Sequence, residues 1–110
     1  QCNLTGTWQN DLGSNMTIGA VDSEGRFNGS YNTSVSASES KIKESPLQGF
    51  QHNPKVQPTF GYTVNWNFSD SITVFTGQCF VKKDGKEVLK TMWLLRQKVN
   101  GLENDWKATR

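Results

Sequence analysis

Three short runs place hydrogen-bonding side chains at every second position, the spacing that a strand turns to one side. Trp8, Asn10, Leu12 and Ser14 share one parity; Tyr31 and Thr33 form a second set, and Ser71, Thr73 and Phe75 a third. With all three faces turned inward, the interior would combine aromatic walls with amide, hydroxyl and phenol groups. In a sealed core each such group left unpaired costs about 1–3 kcal/mol. A ligand rich in hydrogen-bonding atoms would satisfy them. Structural water, or outward orientation on a hydrophilic sheet face, is the alternative.

Catalytic chemistry is not expected. The acidic residues Asp22, Glu24, Glu39, Glu44, Asp84 and Glu87 fall at turns or beside Lys, where they are solvated charges. The chain has no G-x-S-x-G elbow, no H-E-x-x-H pair and no phosphate-cradling Gly loop followed by Lys. Cys2 and Cys79 are the only cysteines and His52 the only histidine, too few for a four-ligand structural zinc site. A Cys79–His52 nucleophilic pair is conceivable, but His52 lies in the loop-like Gln51-His52-Asn53-Pro54. A single disulfide is the simpler reading. It would stabilise by about 4 kcal/mol on the loop-entropy model and implies an oxidising compartment. Glycosylation acceptor triplets at Asn3, Asn15, Asn28, Asn32 and Asn67 agree with a secreted, extracellular protein. The start at Gln1, with no charged or apolar leader, reads as a mature form.

What must position these groups is a small all-β domain. The 110 residues make one domain, 1–110, and only 34% are hydrophobic, yet four Trp, six Phe and two Tyr stand among them. A net charge of +2 is too mild to imply nucleic acid, and no apolar run approaches the roughly 18 residues that span a bilayer, so neither partner is expected. Turn-forming clusters recur every ten residues or so, at 11–15, 22–25, 45–58, 69–71 and 83–86. Strands are expected at 5–10, 15–21, 26–33, 41–49, 59–68, 71–81 and 86–97, with one short helical turn within 99–107. Phe60, Tyr62, Val64, Trp66 and Phe68 alternate with Gly61, Thr63, Asn65 and Asn67 to define one buried face. The last strand is apolar on both faces, Leu89, Trp93 and Leu95 against Val88, Met92 and Leu94, so its outer side needs cover from another subunit. Small antiparallel sheets avoid edges by closing, and about eight strands hold one small ligand. Trp106, in the polar Asn104-Asp105-Trp106-Lys107, either plugs its own barrel or buries itself in a neighbour.

The runs LTGTWQNDLGSNMTI (4–18), PTFGYTVNW (58–66), FTGQCF (75–80), GKEVLKTMWLLR (85–96) and DWKATR (105–110) resemble the avidin family over essentially the whole chain. The resemblance implies an eight-stranded antiparallel up-and-down barrel (calycin-like) in a homotetramer, each barrel sequestering one biotin non-covalently and with high affinity. The eighth strand would follow Arg110 and is absent from the given sequence. By the same resemblance Asn10, Ser14 and Tyr31 hold the ureido oxygen, Thr33 accepts from a ureido N–H, and Thr73 faces the thioether. Trp66, Phe75 and Trp93 form an aromatic box, with Leu12, Val35, Phe68 and Leu95 as further apolar contacts. Ala37, Ser38, Ser69 and Ser71 surround the valerate carboxylate; Ser36 and Ser38 stand where the family has Thr. Trp106 corresponds to the Trp donated to an adjacent subunit, Cys2 and Cys79 to an intrachain disulfide, and Asn15 to a glycosylated Asn. The stretch 50–57 is shorter than the family's. A tetrameric barrel with a structural role and weakened biotin binding, for want of the last strand, is the alternative function. A cofactor is not implied.

Overall fold

The computed structural model describes residues 1–10, 13–33, 43–52, 56–67 and 69–110. Seven strands follow one another: β1 (Gly6–Gln9), β2 (Asn15–Ile18), β3 (Arg26–Thr33), β4 (Lys43–Gln51), β5 (Thr59–Asn65), β6 (Ser71–Val81) and β7 (Glu87–Gln97). A short 3-10 helix, Leu102–Lys107, comes after them. Every strand pairs antiparallel with its neighbour in sequence, so the sheet order is β1-β2-β3-β4-β5-β6-β7. This is the expected up-and-down meander, curled into a half-barrel with β1 and β7 at its edges.

Hairpin chemistry sets the register. At the β6–β7 turn Gly85 takes φ +88°, a left-handed conformation that costs glycine nothing. There Lys82 N–H donates to Lys86 O at 2.7 Å and Asp84 Oδ1 accepts from Lys86 N–H at 3.0 Å. On β4, Gly49 sits opposite Tyr62, and a Cβ there would overlap Gly61 O and the Tyr62 side chain. Only glycine lets β4 and β5 approach this closely at that point.

Alternation then sorts the faces. Met16, Ile18, Phe27, Leu47, Phe60, Tyr62 and Val64 all point to the concave side and are buried there with Leu4. Full burial of a Leu, Ile or Val side chain stabilises by roughly 1.5–3 kcal/mol, and Leu4, Ile18, Leu47 and Val64 are all below 2% exposed. The Cys2–Cys79 disulfide spans 77 residues and draws the N-terminal segment onto β6. Asn3 N–H adds a hydrogen bond to Glu87 Oε2 at 2.9 Å. The one-disulfide expectation holds.

Three boundaries differ from the sequence reading, the first being the end of β4, which runs on to Gln51 rather than stopping at 49. The fifth strand stops at Asn65 rather than at 68, because Asn67 turns back to β4: its N–H donates to Ser45 Oγ at 3.0 Å and its Nδ2 to Glu44 O at 2.7 Å. β2 ends at Ile18 rather than at 21, where Gly19 N–H makes a last bond to Asn28 O at 2.8 Å. The third, sixth and seventh strands lie within a residue of expectation. On the free edge of β7 the chain end opens a new antiparallel ladder. Gln97 N–H donates to Ala108 O at 2.8 Å, and Leu95 and Arg110 exchange bonds of 2.7 and 2.8 Å.

Candidate functional site

The polar part of the concave face begins at the β1–β2 turn. Asn10 N–H donates to Ser14 O and Asn10 Oδ1 accepts from Ser14 N–H, both at 3.0 Å. With its amide oxygen held by the turn, the Asn10 side chain presents Nδ2 to Tyr31 Oη, 3.4 Å away on β3. Tyr31 Oη is the acceptor in that contact, so its own O–H remains available to donate. Burial raises the Tyr31 phenol above its ordinary range, and the hydrogen bond from Asn10 opposes part of that shift. At neutral pH the group is a neutral donor.

Aromatic rings flank the ring that carries this hydroxyl. Trp66 meets Tyr31 edge-on, with centroids 5.3 Å apart and planes at 81°, while Phe75 lies nearly parallel to it at 5.9 Å. Phe75 in turn stacks on Tyr62 at 4.7 Å, so three rings form one column from the open end toward the floor. Such contacts contribute about 0.5–1.5 kcal/mol each beyond burial. They also fix the ring planes before any ligand arrives. Trp66 Nε1–H donates to Thr73 Oγ1 at 2.7 Å, and Thr73 is only 3% exposed. That bond fixes the indole against β6, with the threonine oxygen as its acceptor.

The β6–β7 register brings the remaining walls alongside: Phe75 pairs with Trp93 and Thr73 with Leu95. Leu95 is half-buried, whereas Trp93 is 55% exposed, because no strand flanks it on the far side of β7 among the described residues. At the open end Ser69 and Ser71 share a hydrogen bond between their hydroxyls. With Asp70, Gln97, Lys98 and Asn100 they line a hollow of about 360 Å³. The sequence reading missed Gln97 and Lys98; their only signal was their place just beyond Leu95 at the end of a strand that carries site residues.

Thus Asn10, Ser14, Tyr31, Trp66, Thr73, Phe75, Trp93 and Leu95 come together on one face, and Ser69 and Ser71 lie at its open end. Thr33 is the last residue of β3. Leu12, Val35, Ser36, Ala37, Ser38 and Phe68 lie outside the described residues. Trp106 does not fold onto its own sheet: it is 81% exposed on the 3-10 helix, beside Leu102 at 89%. That helix buries none of its own residues. It is tied to β7 by Arg96, which reaches Asp105 Oδ1 at 2.5 Å and Thr109 Oγ1 at 3.2 Å. Among the described residues no three His, Cys, Asp or Glu gather as metal ligands, and no helix is long and apolar enough to cross a membrane.

A curled meander with donors pre-aimed among fixed aromatic rings defines a small-ligand-binding β-barrel protein. Comparison with known proteins narrows the class. The sequence pattern of the avidin family matches residues 1–110, and the chain belongs to that family. Avidin of Gallus gallus is 66% identical over 112 residues, covering 100% of this chain and 74% of that protein. Avidin-related protein 4/5 of Gallus gallus is 62% identical over 110 residues, covering 100% and 73%. Among solved structures, the crystal structure of xenavidin superposes with a TM-score of 0.91 at 53% identity, covering 100% of this chain and 92% of that one. A biotin binding protein from chicken gives 0.89 at 57% identity, covering 99% and 89%.

Proposed function

We propose that this chain is a secreted protein that binds biotin tightly and non-covalently, and sequesters it rather than transforming it. The observation that carries the reading is the locked trio at the pocket's polar end. The β1–β2 turn consumes Asn10 Oδ1, which directs Nδ2 toward Tyr31 Oη among the Trp66 and Phe75 rings. Biotin's ureido oxygen needs several donors at one point, and Asn10, Ser14 and Tyr31 supply them, with Thr33 taking a ureido N–H. The neutral bicycle lies against Trp66, Phe75 and Trp93, with Leu12, Val35, Phe68 and Leu95 filling in. Thr73 faces the thioether, and Ala37, Ser38, Ser69 and Ser71, with Ser36 nearby, receive the carboxylate. Donors fixed in advance spare the ordering cost that usually limits affinity per atom.

The subunits assemble as a homotetramer. The support is the outer face of β6 and β7, where Ile72, Val74, Met92 and Leu94 are 43–76% exposed. The register places Val74 beside Leu94 and Thr76 beside Met92, so these side chains form one continuous apolar surface. Trp106, held out by the Arg96 clamp, reaches the pocket of an adjacent subunit. Ala108 to Arg110 hydrogen-bond along the outer edge of β7, the strand that carries Trp93. The disulfide supports passage through an oxidising compartment, and Asn15, at the start of β2, carries a glycan.

Thermal unfolding with and without biotin tests the reading. Binding to the native state alone raises stability by about 2.7 kcal/mol at a ligand concentration of 100 Kd. A large rise in Tm is expected. An unchanged Tm at saturating biotin would leave only a structural role for the barrel, the reading that the exposed Trp93 would then favour.

A further inference from the structure

Gln97 stands at the open end of the ligand face, and the binding described above gives it no part. Trp93, Leu95 and Gln97 alternate along β7, and the ladder sets them opposite Phe75, Thr73 and Ser71 of β6. Gln97 therefore continues the row of Trp93 and Leu95 by one step toward the mouth. Side chains directly opposite across an antiparallel pair have Cβ atoms about 4.5–5.5 Å apart, so its amide lies within reach of Ser71. The main chain here is tied down: Gln97 N–H donates to Ala108 O at 2.8 Å and Lys98 N–H to Asp70 O at 3.2 Å. The Gln97 side chain, by contrast, is exposed and makes no hydrogen bond among the described residues.

Gln97 lines the hollow of about 360 Å³ together with Ser69 and Ser71, at the end where a tail on the ligand leaves the barrel. The two serine hydroxyls bond each other, so one of their two protons is left to donate. A carboxylate has about four lone-pair sites to fill, more than that single O–H serves. Asp70 and Lys98 line the same hollow with one charge of each sign, so their net charge favours neither an acidic nor a neutral tail. The free amide of Gln97 is the polar group left to read it.

We propose that Gln97 is a specificity-determining residue for the ligand's tail, and that through it the site takes N-substituted amides of biotin as well as the free acid. The inference rests on the biotin reading above and names the residue that reads the far end of that ligand. A carboxamide carries both donors and an acceptor. Toward a carboxylate, Gln97 Nε2–H donates. Toward an amide, Gln97 Oε1 accepts from the ligand's N–H. Rotation about the last side-chain bond, which is soft, exchanges the two. Because Gln97 lies at the open end, a substituent on the amide nitrogen passes into solvent.

The test is displacement titration of the parent, Gln97→Glu and Gln97→Leu with biotin and with biotin N-methylamide. A glutamate still accepts from the amide N–H but repels the acid. In Gln97→Glu the ratio of acid to amide affinity should therefore fall by about fivefold or more, as two unit charges about 4 Å apart repel even in bulk water. Gln97→Leu carries no charge and no polar atom, and should weaken both ligands several-fold while keeping their ratio near the parent's. An unchanged ratio in Gln97→Glu overturns the proposal, and so do unchanged affinities in Gln97→Leu, which would mean that the glutamate acts only through its field. In either case tight binding of biotin by the parent leaves the biotin reading standing. A parent that binds neither ligand overturns that reading and the role of Gln97 with it.

Discussion

Replacing Tyr31 with Phe removes one oxygen and leaves the ring that packs against Trp66 and Phe75. The lost group is the O–H assigned to biotin's ureido oxygen. Its deletion strands a buried acceptor on the ligand, which costs about 1–3 kcal/mol. At about 1.4 kcal/mol per decade, affinity should fall roughly 5- to 150-fold. The free protein should change little. Asn10 Nδ2 loses its 3.4 Å partner, but Asn10 is exposed and water replaces the acceptor. The assay is a displacement titration together with the dissociation rate of labelled biotin, since tight binders differ mainly in off-rate. Affinity within twofold of the parent, with an unchanged Tm for the free protein, would refute the role given to Tyr31.

Trp106→Ala should weaken biotin binding and tetramer assembly together, read by off-rate and native mass. Arg96→Gln should shift both in the same direction by a smaller amount, because it releases the Asp105 and Thr109 contacts that hold the 3-10 helix. If Arg96→Gln still weakens binding in a Trp106→Ala background, the clamp does not act through Trp106. Burial pushes the Tyr62 phenol far above its ordinary value near 10. The unfolded chain releases that proton near pH 10 while the native state keeps it, so stability should fall as pH rises above about 10. Tyr62→Phe should flatten this part of the alkaline fall, measured as urea midpoints at about pH 8 and 10.5. An equal fall in both proteins would show that Tyr62 does not carry it.

Where one face is buried, alternation was enough to read the fold. Phe60, Tyr62 and Val64 turn inward as their spacing predicts, and the meander order follows from the turn clusters between strands. The same parity rule placed Tyr31, Thr73 and Phe75 on the site face. It failed where local polar chemistry overrides period. Asn67 bends back to Glu44 and Ser45, so the fifth strand ends before Trp66. The turn signal at Ser45-Pro46 marks no break, since β4 runs through both residues, with Ser30 opposite Pro46. Parity also says nothing about how side chains share hydrogen bonds. That Asn10 closes the β1–β2 turn with one end of its amide and meets Tyr31 with the other depends on contacts 4 and 21 residues apart. Arg96, a charged residue on an apolar strand, gave no hint that it would grip Asp105 and Thr109.

The most direct test of the account is a crystal structure of the protein with biotin. The ureido oxygen should lie about 2.7–3.2 Å from Asn10 Nδ2, Ser14 Oγ and Tyr31 Oη, with the ring system between Trp66, Phe75 and Trp93. A biotin bound elsewhere, or those three side chains turned away from it, would contradict the central claim.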